Sequence, residues 1–272
     1  MPKIVVKLGG SFLTRKSESD SFPIDIRLIE QAAPSFVFLD RLRRISAETG
    51  DLLSGQSLML VHGAGPFGHA LVDGYRSGIE VTPVDIHGSM LVLNRLVMKS
   101  LGETGIRSET VSPFDTVEHR GEFVTGELSS RMKDLERRGI VPVSHGDVVP
   151  SDSGGIDGYE VVSGDTIACD ISLSWKARKI IMVTDMDGIL DVDPREGTGK
   201  TIPQIGYEEC VRMLRGRGRK GSDVTGGIAQ KIISCERPIR AGIPLHIISG
   251  IRYGNLSAAC AGEPVGTVVR EG

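Results

Sequence analysis

No apolar run in this 272-residue chain approaches the roughly 18 residues that a membrane-spanning helix needs. A helical membrane protein is therefore not expected. Cysteine is scarce. The four residues, Cys169, Cys210, Cys235 and Cys260, are widely spread and form no CxxC pair. Neither a disulfide framework nor a zinc site is expected, and a reducing compartment fits. Met1-Pro2-Lys3 leads straight into an apolar stretch without the layout of a signal peptide, so the expected location is cytoplasmic. Positive charge is not in excess either. A net charge of −3 gives no polybasic argument for nucleic acid. The one basic cluster, Arg215-Gly216-Arg217-Gly218-Arg219-Lys220, reads as a solvated surface loop or as a mobile cationic loop near polyphosphate. Internal repeats and low-complexity linkers are missing too.

What is present is alternation. Apolar strands are expected over residues 3–8, 57–61, 140–144, 159–162, 180–183, 245–249 and 267–269. Helical segments are expected up to about residue 48, over 85–101 and 127–138, after Ser163-Gly164-Asp165 to about residue 175, and from about Gly226 onward. Residues 116–125 read as a β-hairpin. Strands alternating with helices argue an α/β fold with a mostly parallel sheet covered on both faces. Ligands of such folds bind beyond the carboxyl ends of the strands. Five strands here end in clusters of Gly, Ser, Thr, Asp or His.

Two of those ends and one further loop carry the strongest chemistry. Lys7-Leu8-Gly9-Gly10-Ser11 places a cation and close backbone donors at a strand end, which suits nucleotide phosphates. Lysine is rare in a buried strand, so a purely structural role for Lys7 is the weaker reading. The run Ser57 to Val61 opens into His62-Gly63-Ala64-Gly65-Pro66-Phe67-Gly68-His69, where backbone must come close to something and a histidine stands at the start of a helix. Asp223-Val224-Thr225-Gly226-Gly227-Ile228-Ala229-Gln230-Lys231 is a loop entering a helix with a lysine in its first turns. Ser163-Gly164-Asp165 and Thr184-Asp185-Met186-Asp187-Gly188 supply carboxylates at two further strand ends.

Two motif matches are decoys. The GxGxxG of Gly63 to Gly68 lacks the second strand with a terminal acidic residue that a dinucleotide site needs. Gly199-Lys200-Thr201 imitates the end of a Walker A loop, but Pro194 occupies the first glycine position, and a surface turn is expected. His87, His119 and His246 have no motif context and read as structural. His62 is expected to support its loop, and His145 at a strand end is open. Ile86, Met90, Leu93 and Val97 at helical spacing read as core, or as the wall of a pocket for an apolar tail.

In this order the motifs resemble the amino acid kinase superfamily over nearly the whole chain, and within it the isopentenyl phosphate kinases. The Phe67-Gly68-His69 ending and the Asp223-to-Gly227 segment carry that distinction; fosfomycin kinases share the histidine. The resemblance implies a single domain over 1–272, a three-layer αβα sandwich. In it, about 1–150 would bind the phosphorylated substrate and dimerise, and about 151–272 would bind ATP. It implies transfer from ATP, with Mg2+ carried by the nucleotide, to isopentenyl phosphate. His69, Lys7 and Lys16 would be catalytic. Ala64, Gly68, His69 and Gly164 would contact the substrate. Lys7, Gly9, Gly10, Ser11, Gly65, Asp165, Asp185, Gly226 and Lys231 would serve the nucleotide. Other readings are a kinase of another small phosphate or phosphonate, and a nucleotide-binding sensor or storage protein on the same fold.

Overall fold

The computed structural model describes residues 1–15, 21–120, 123–193, 197–217 and 226–272. Twelve strands and twelve helices follow one another among them. The first half runs β1 (Lys3–Leu8), α1 (Gly10–Leu13), α2 (Ile26–Phe36), α3 (Leu39–Leu52), β2 (Ser57–His62), α4 (Pro66–Arg76), α5 (Pro83–Glu103), β3 (Ser108–Thr110), α6 (Pro113–Thr116), β4 (Glu118–His119), β5 (Phe123–Val124), α7 (Gly126–Arg137) and β6 (Val141–His145). The second runs β7 (Asp147–Pro150), β8 (Tyr159–Val162), α8 (Gly164–Trp175), β9 (Lys179–Thr184), β10 (Gln204–Gly206), α9 (Tyr207–Arg217), α10 (Gly226–Ser234), α11 (Glu236–Arg240), β11 (Leu245–Ser249), α12 (Asn255–Ala261) and β12 (Thr267–Arg270).

Eight strands form the central sheet in the order β10-β12-β11-β9-β1-β2-β6-β3. All pairs are parallel except β11 with β12. From β1 the chain builds outward through β2 to one side, then returns to add β9 on the other. That puts the topological switch point at β1, and ligands of such folds bind beyond the carboxyl ends there.

Alternation along the strands fills three layers. Ile4, Val6 and Leu8 of β1 pack with α1 to α5 and α12. Val5, with Met59 and Val61 of β2, packs on α7 and α8. Ile180 and Met182 of β9 pack on α8 to α11. Side chains two apart share a face, so Lys7 must point with Val5 toward α8.

Three expectations change. β8 pairs antiparallel with β7 in a separate ribbon and does not join the central sheet. Thr116 ends the short α6; the hairpin of 116–125 is narrowed to β4 and β5. Cys169 and Cys235 form a disulfide, because α8 and the end of α10 pack together across 66 residues of sequence. No cysteine spacing could show that. No described helix is long and apolar enough to cross a membrane.

Candidate active site

The carboxyl ends of β1, β2, β6 and β9 converge. After β1 the chain turns into α1 through Gly9 and Gly10; after β2 it turns into α4 through residues 63–65. These two loops touch: a Cβ on Gly10 would stand 2.6 Å from the Gly65 nitrogen. Gly65 has φ +54°, and a Cβ there would stand 2.0 Å from Thr14 Oγ1. Only glycine meets both demands. Pro66 occupies the first turn of α4, a position where its fixed φ suits a helix start and its missing N–H has no intrahelical acceptor to lose. Its ring still removes one donor that an anion could use. Gly68 is buried under the loop, its Cβ position 2.7 Å from the Ala64 side chain. His69 follows within the first turns of α4 and is exposed, its N–H donating to the Gly65 carbonyl at 3.1 Å.

Beneath the loops lies an ion triad. Lys7 Nζ stands 2.6 Å from Asp165 Oδ1, and Lys231 Nζ stands 2.9 Å from Asp165 Oδ2. Lys7 is 2% exposed and Asp165 8%. Asp165 is in the first turn of α8, whose N-cap Ser163 accepts from the Thr166 N–H. A carboxylate there is favoured by the helix dipole. Burial alone would raise the Asp165 pKa, but the two ammonium groups outweigh it and hold the carboxyl at about 2. Burial lowers the Lys7 pKa and Lys231 adds to this, while Asp165 opposes both. Two lysines against one aspartate leave one positive charge in excess, directed at the glycine loops. Gly164 stands at the same helix start, its Cβ position 2.8 Å from the His62 carbonyl.

Beyond the adjacent ends of β1 and β9, Ser11 Oγ donates to Asp185 Oδ1 at 2.7 Å. Arg41 of α3 lies over the Phe38 ring, 3.8 Å from its centroid, and donates to the Phe12 carbonyl. Gly226 opens α10, the helix that carries Lys231. The structure therefore brings Lys7, Gly9, Gly10, Ser11, Ala64, Gly65, His69, Gly164, Asp165, Asp185 and Lys231 to one end of the sheet. Lys16, the loop at 223–225 and the 218–220 part of the basic cluster lie outside the described residues. Ile86, Met90, Leu93 and Val97 are all buried in the core beside α4.

Sequence reasoning missed a second polar cluster behind the first. His62 Nδ1 donates to the Gly63 carbonyl at 3.1 Å, which leaves Nε2 to accept from Asn94 Nδ2 at 3.2 Å. Thr110 Oγ1 donates to Asn94 Oδ1 at 2.7 Å. The His62 ring stacks on His145, centroids 5.2 Å apart, as their pairing across β2 and β6 requires. Asp147 Oδ2 stands 2.7 Å from His87 Nδ1 and 3.5 Å from His145 Nδ1. Burial, reinforced by His145, lowers the His62 pKa to about 3, so its ring is neutral. The only sequence signal was position: both histidines end strands.

Comparisons with known proteins agree with this geometry. The model of the amino acid kinase family matches residues 2–249. The isopentenyl phosphate kinase of Methanothermobacter thermautotrophicus is 33% identical, covering 96% of each chain. That of Haloferax volcanii is 31% identical over 99% of each. A crystal structure of isopentenyl phosphate kinase superposes with a TM-score of 0.74 at 27% identity, covering 98% of this chain and 99% of that one. The chain thus belongs to the amino acid kinase family and, within it, stands among the isopentenyl phosphate kinases.

Proposed function

We propose that this protein transfers the γ-phosphoryl group of ATP to isopentenyl phosphate, giving isopentenyl diphosphate. The observation that carries this reading is the Lys7–Asp165–Lys231 triad, with Lys7 and Asp165 buried, under two touching glycine loops, with His69 standing at the helix start beside them. The acceptor is already a phosphate whose second pKa is near 6. Its oxygen is nucleophilic at neutral pH, so the protein needs no strong base. The difficulty is the approach of two anions. Lys7 and the N–H groups of the glycine loops offset that repulsion where the phosphoryl group passes. Asp165 orients both lysines. Lys231, on α10, faces the nucleotide phosphates, and His69 with the Ala64, Gly68 and Gly164 backbone holds the acceptor phosphate. Lys16 stabilises charge on the transferring group. Gly9, Gly10, Ser11, Gly65, Asp185 and Gly226 line the nucleotide side. Mg2+ enters with ATP and, when bound, neutralises part of the triphosphate charge.

The lobe over about 1–150 takes the acceptor and the one over about 151–272 takes ATP. The protein works as a cytoplasmic homodimer joined through the first lobe. The relatives above support the acceptor, since both are isopentenyl phosphate kinases. Measuring ATP consumption with isopentenyl phosphate, dimethylallyl phosphate and fosfomycin in parallel tests the reading. Turnover of an isoprenoid phosphate is expected; turnover of fosfomycin alone would overturn it. Nucleotide binding with no turnover of any acceptor would leave the sensor reading in its place. His69→Ala should lower kcat/KM by about 2–4 kcal/mol, as loss of a positioned donor to developing charge does. A folded variant with normal kcat/KM removes His69 from the chemistry.

A further inference from the structure

Lys231 reaches Asp165 from α10, a helix of nine residues. A helix that short does not hold itself and depends on packing. Its neighbour α8 is anchored on the sheet through Ile167, Ala168 and Ile171. The Cys169–Cys235 disulfide joins the two segments, with Cα atoms 5.5 Å apart, the ordinary separation for such a bond. Its place matters. Cys169 follows Asp165 by four residues on α8, and Cys235 follows Lys231 by four, directly after the last residue of α10 as the N-cap of α11. Residues four apart share one helix face. The ion pair and the disulfide are thus successive links between the same two segments, the covalent one a turn behind the ionic one. Both cysteines are buried among Met182, Ile228, Ile232 and Ile239. Cys210 and Cys260 take no part in a disulfide.

We propose that Cys169 and Cys235 are positioning residues for Lys231, and that closing or opening their bridge sets how well the site holds nucleotide phosphates. The proposal rests on the reading of Lys231 as a nucleotide-facing residue. Closing the bridge joins two thiols as S–S; two electrons and two protons pass to a small disulfide oxidant, which leaves as two thiols. Reduction by a thiol or phosphine reverses it. With the bridge closed, α10 is fixed to α8 and Lys231 stays on Asp165. With it open, α10 is held without a covalent link, and Lys231 is less well placed for an incoming phosphate.

The full-length protein is treated with oxidised glutathione or with a phosphine reductant, and its thiols are counted after denaturation. Hydrogen exchange across α10 is then read without nucleotide. The KM for ATP and the KM for the acceptor are read with it, and ATP affinity is measured by calorimetry. Oxidation should leave two thiols and reduction four. Reduced protein should exchange faster across α10. Its KM and Kd for ATP should rise about tenfold, the equivalent of one weakened charge-assisted hydrogen bond, while the KM for the acceptor stays put. C169A/C235A should behave as reduced protein and ignore the redox treatment. Four thiols after oxidation, equal exchange of α10 in the two states, or an ATP affinity blind to the bridge would each overturn the proposal. If no isoprenoid phosphate is turned over, the proposed reaction fails, while exchange and ATP affinity still decide this one. If the double variant does not fold, the oxidised and reduced wild-type proteins carry the comparison.

Discussion

Two buried polar clusters sit side by side at the carboxyl ends of β1, β2 and β6, and they are built on opposite principles. Lys7, Asp165 and Lys231 are charged, and one positive charge is left over. Along the chain through His62 the groups are neutral, each hydrogen bond handing on to the next from Thr110 through Asn94 to the Gly63 carbonyl. The first cluster keeps a charge out of water, which is costly unless something else uses it. The second leaves no charge over along that chain and fixes a loop carbonyl. The difference teaches a division of labour: the charged set faces the chemistry, and the neutral set holds the backbone that the chemistry needs.

The sharpest way to break this comparison is to remove Asp165. Asp165→Ala leaves the buried Lys7 ammonium unpaired beside the half-buried Lys231, and the folded state should lose about 3–5 kcal/mol. Urea unfolding measures it. The double change K7M/D165L replaces the pair by apolar groups of similar size and should recover most of that stability with no recovery of ATP consumption. If D165A unfolds at the wild-type urea concentration, the triad is not a buried ion cluster in solution.

Asn94 offers the gentler contrast. Asn94→Leu leaves His62 Nε2 and Thr110 Oγ1 without their partner, which should cost about 1–3 kcal/mol of stability. The KM for ATP should not follow, because no group of that chain points at nucleotide. A variant that keeps its stability but loses ATP affinity would reverse the roles assigned to the two clusters.

These clusters were not equally legible in the sequence. A lysine inside an apolar strand is improbable as packing, so Lys7 announced itself, and so did glycines at strand ends. Asp165 and Lys231 came with recognisable loops. Their meeting through Asp165 needs only the fact that side chains two apart share a face, which puts Lys7 on the α8 side. The cluster around His62 gave no such signal. Asn94 and His87 lie on α5, where helical spacing says which residues turn inward but not what they meet. Asp147 takes its partner from 60 residues away. The Cys169–Cys235 pairing was hidden for the same reason, since spacing across 66 residues says nothing of contact. Local chemistry was readable, and contacts between distant elements were not.

Acid separates the two clusters without any mutation. His62 is held neutral by burial, with a pKa of about 3 in the folded protein against an ordinary 6.5. His145 is lowered too, again chiefly by burial, and His246 on β11 stands at about 4 for the same reason. Between those folded values and 6.5 the unfolded chain binds more protons than the folded one. Stability is therefore full above about pH 6.5 and is lost as pH falls, each histidine contributing a slope of up to about 1.4 kcal/mol per pH unit. Asp165 acts in a lower window. Its folded value of about 2 lies below the ordinary 3.8, so its contribution is complete above 3.8 and disappears only as pH falls toward 2. Urea midpoints at about pH 7.5 and 5 should thus fall through the histidines alone, while the triad stays intact. His62→Gln, which keeps a side chain able to hydrogen-bond but cannot take up that proton, should flatten the loss by one histidine's share. A midpoint that does not move across this range would mean that the histidines are charged or solvated in the folded protein, and the neutral cluster would then lose its claim to hold the loop.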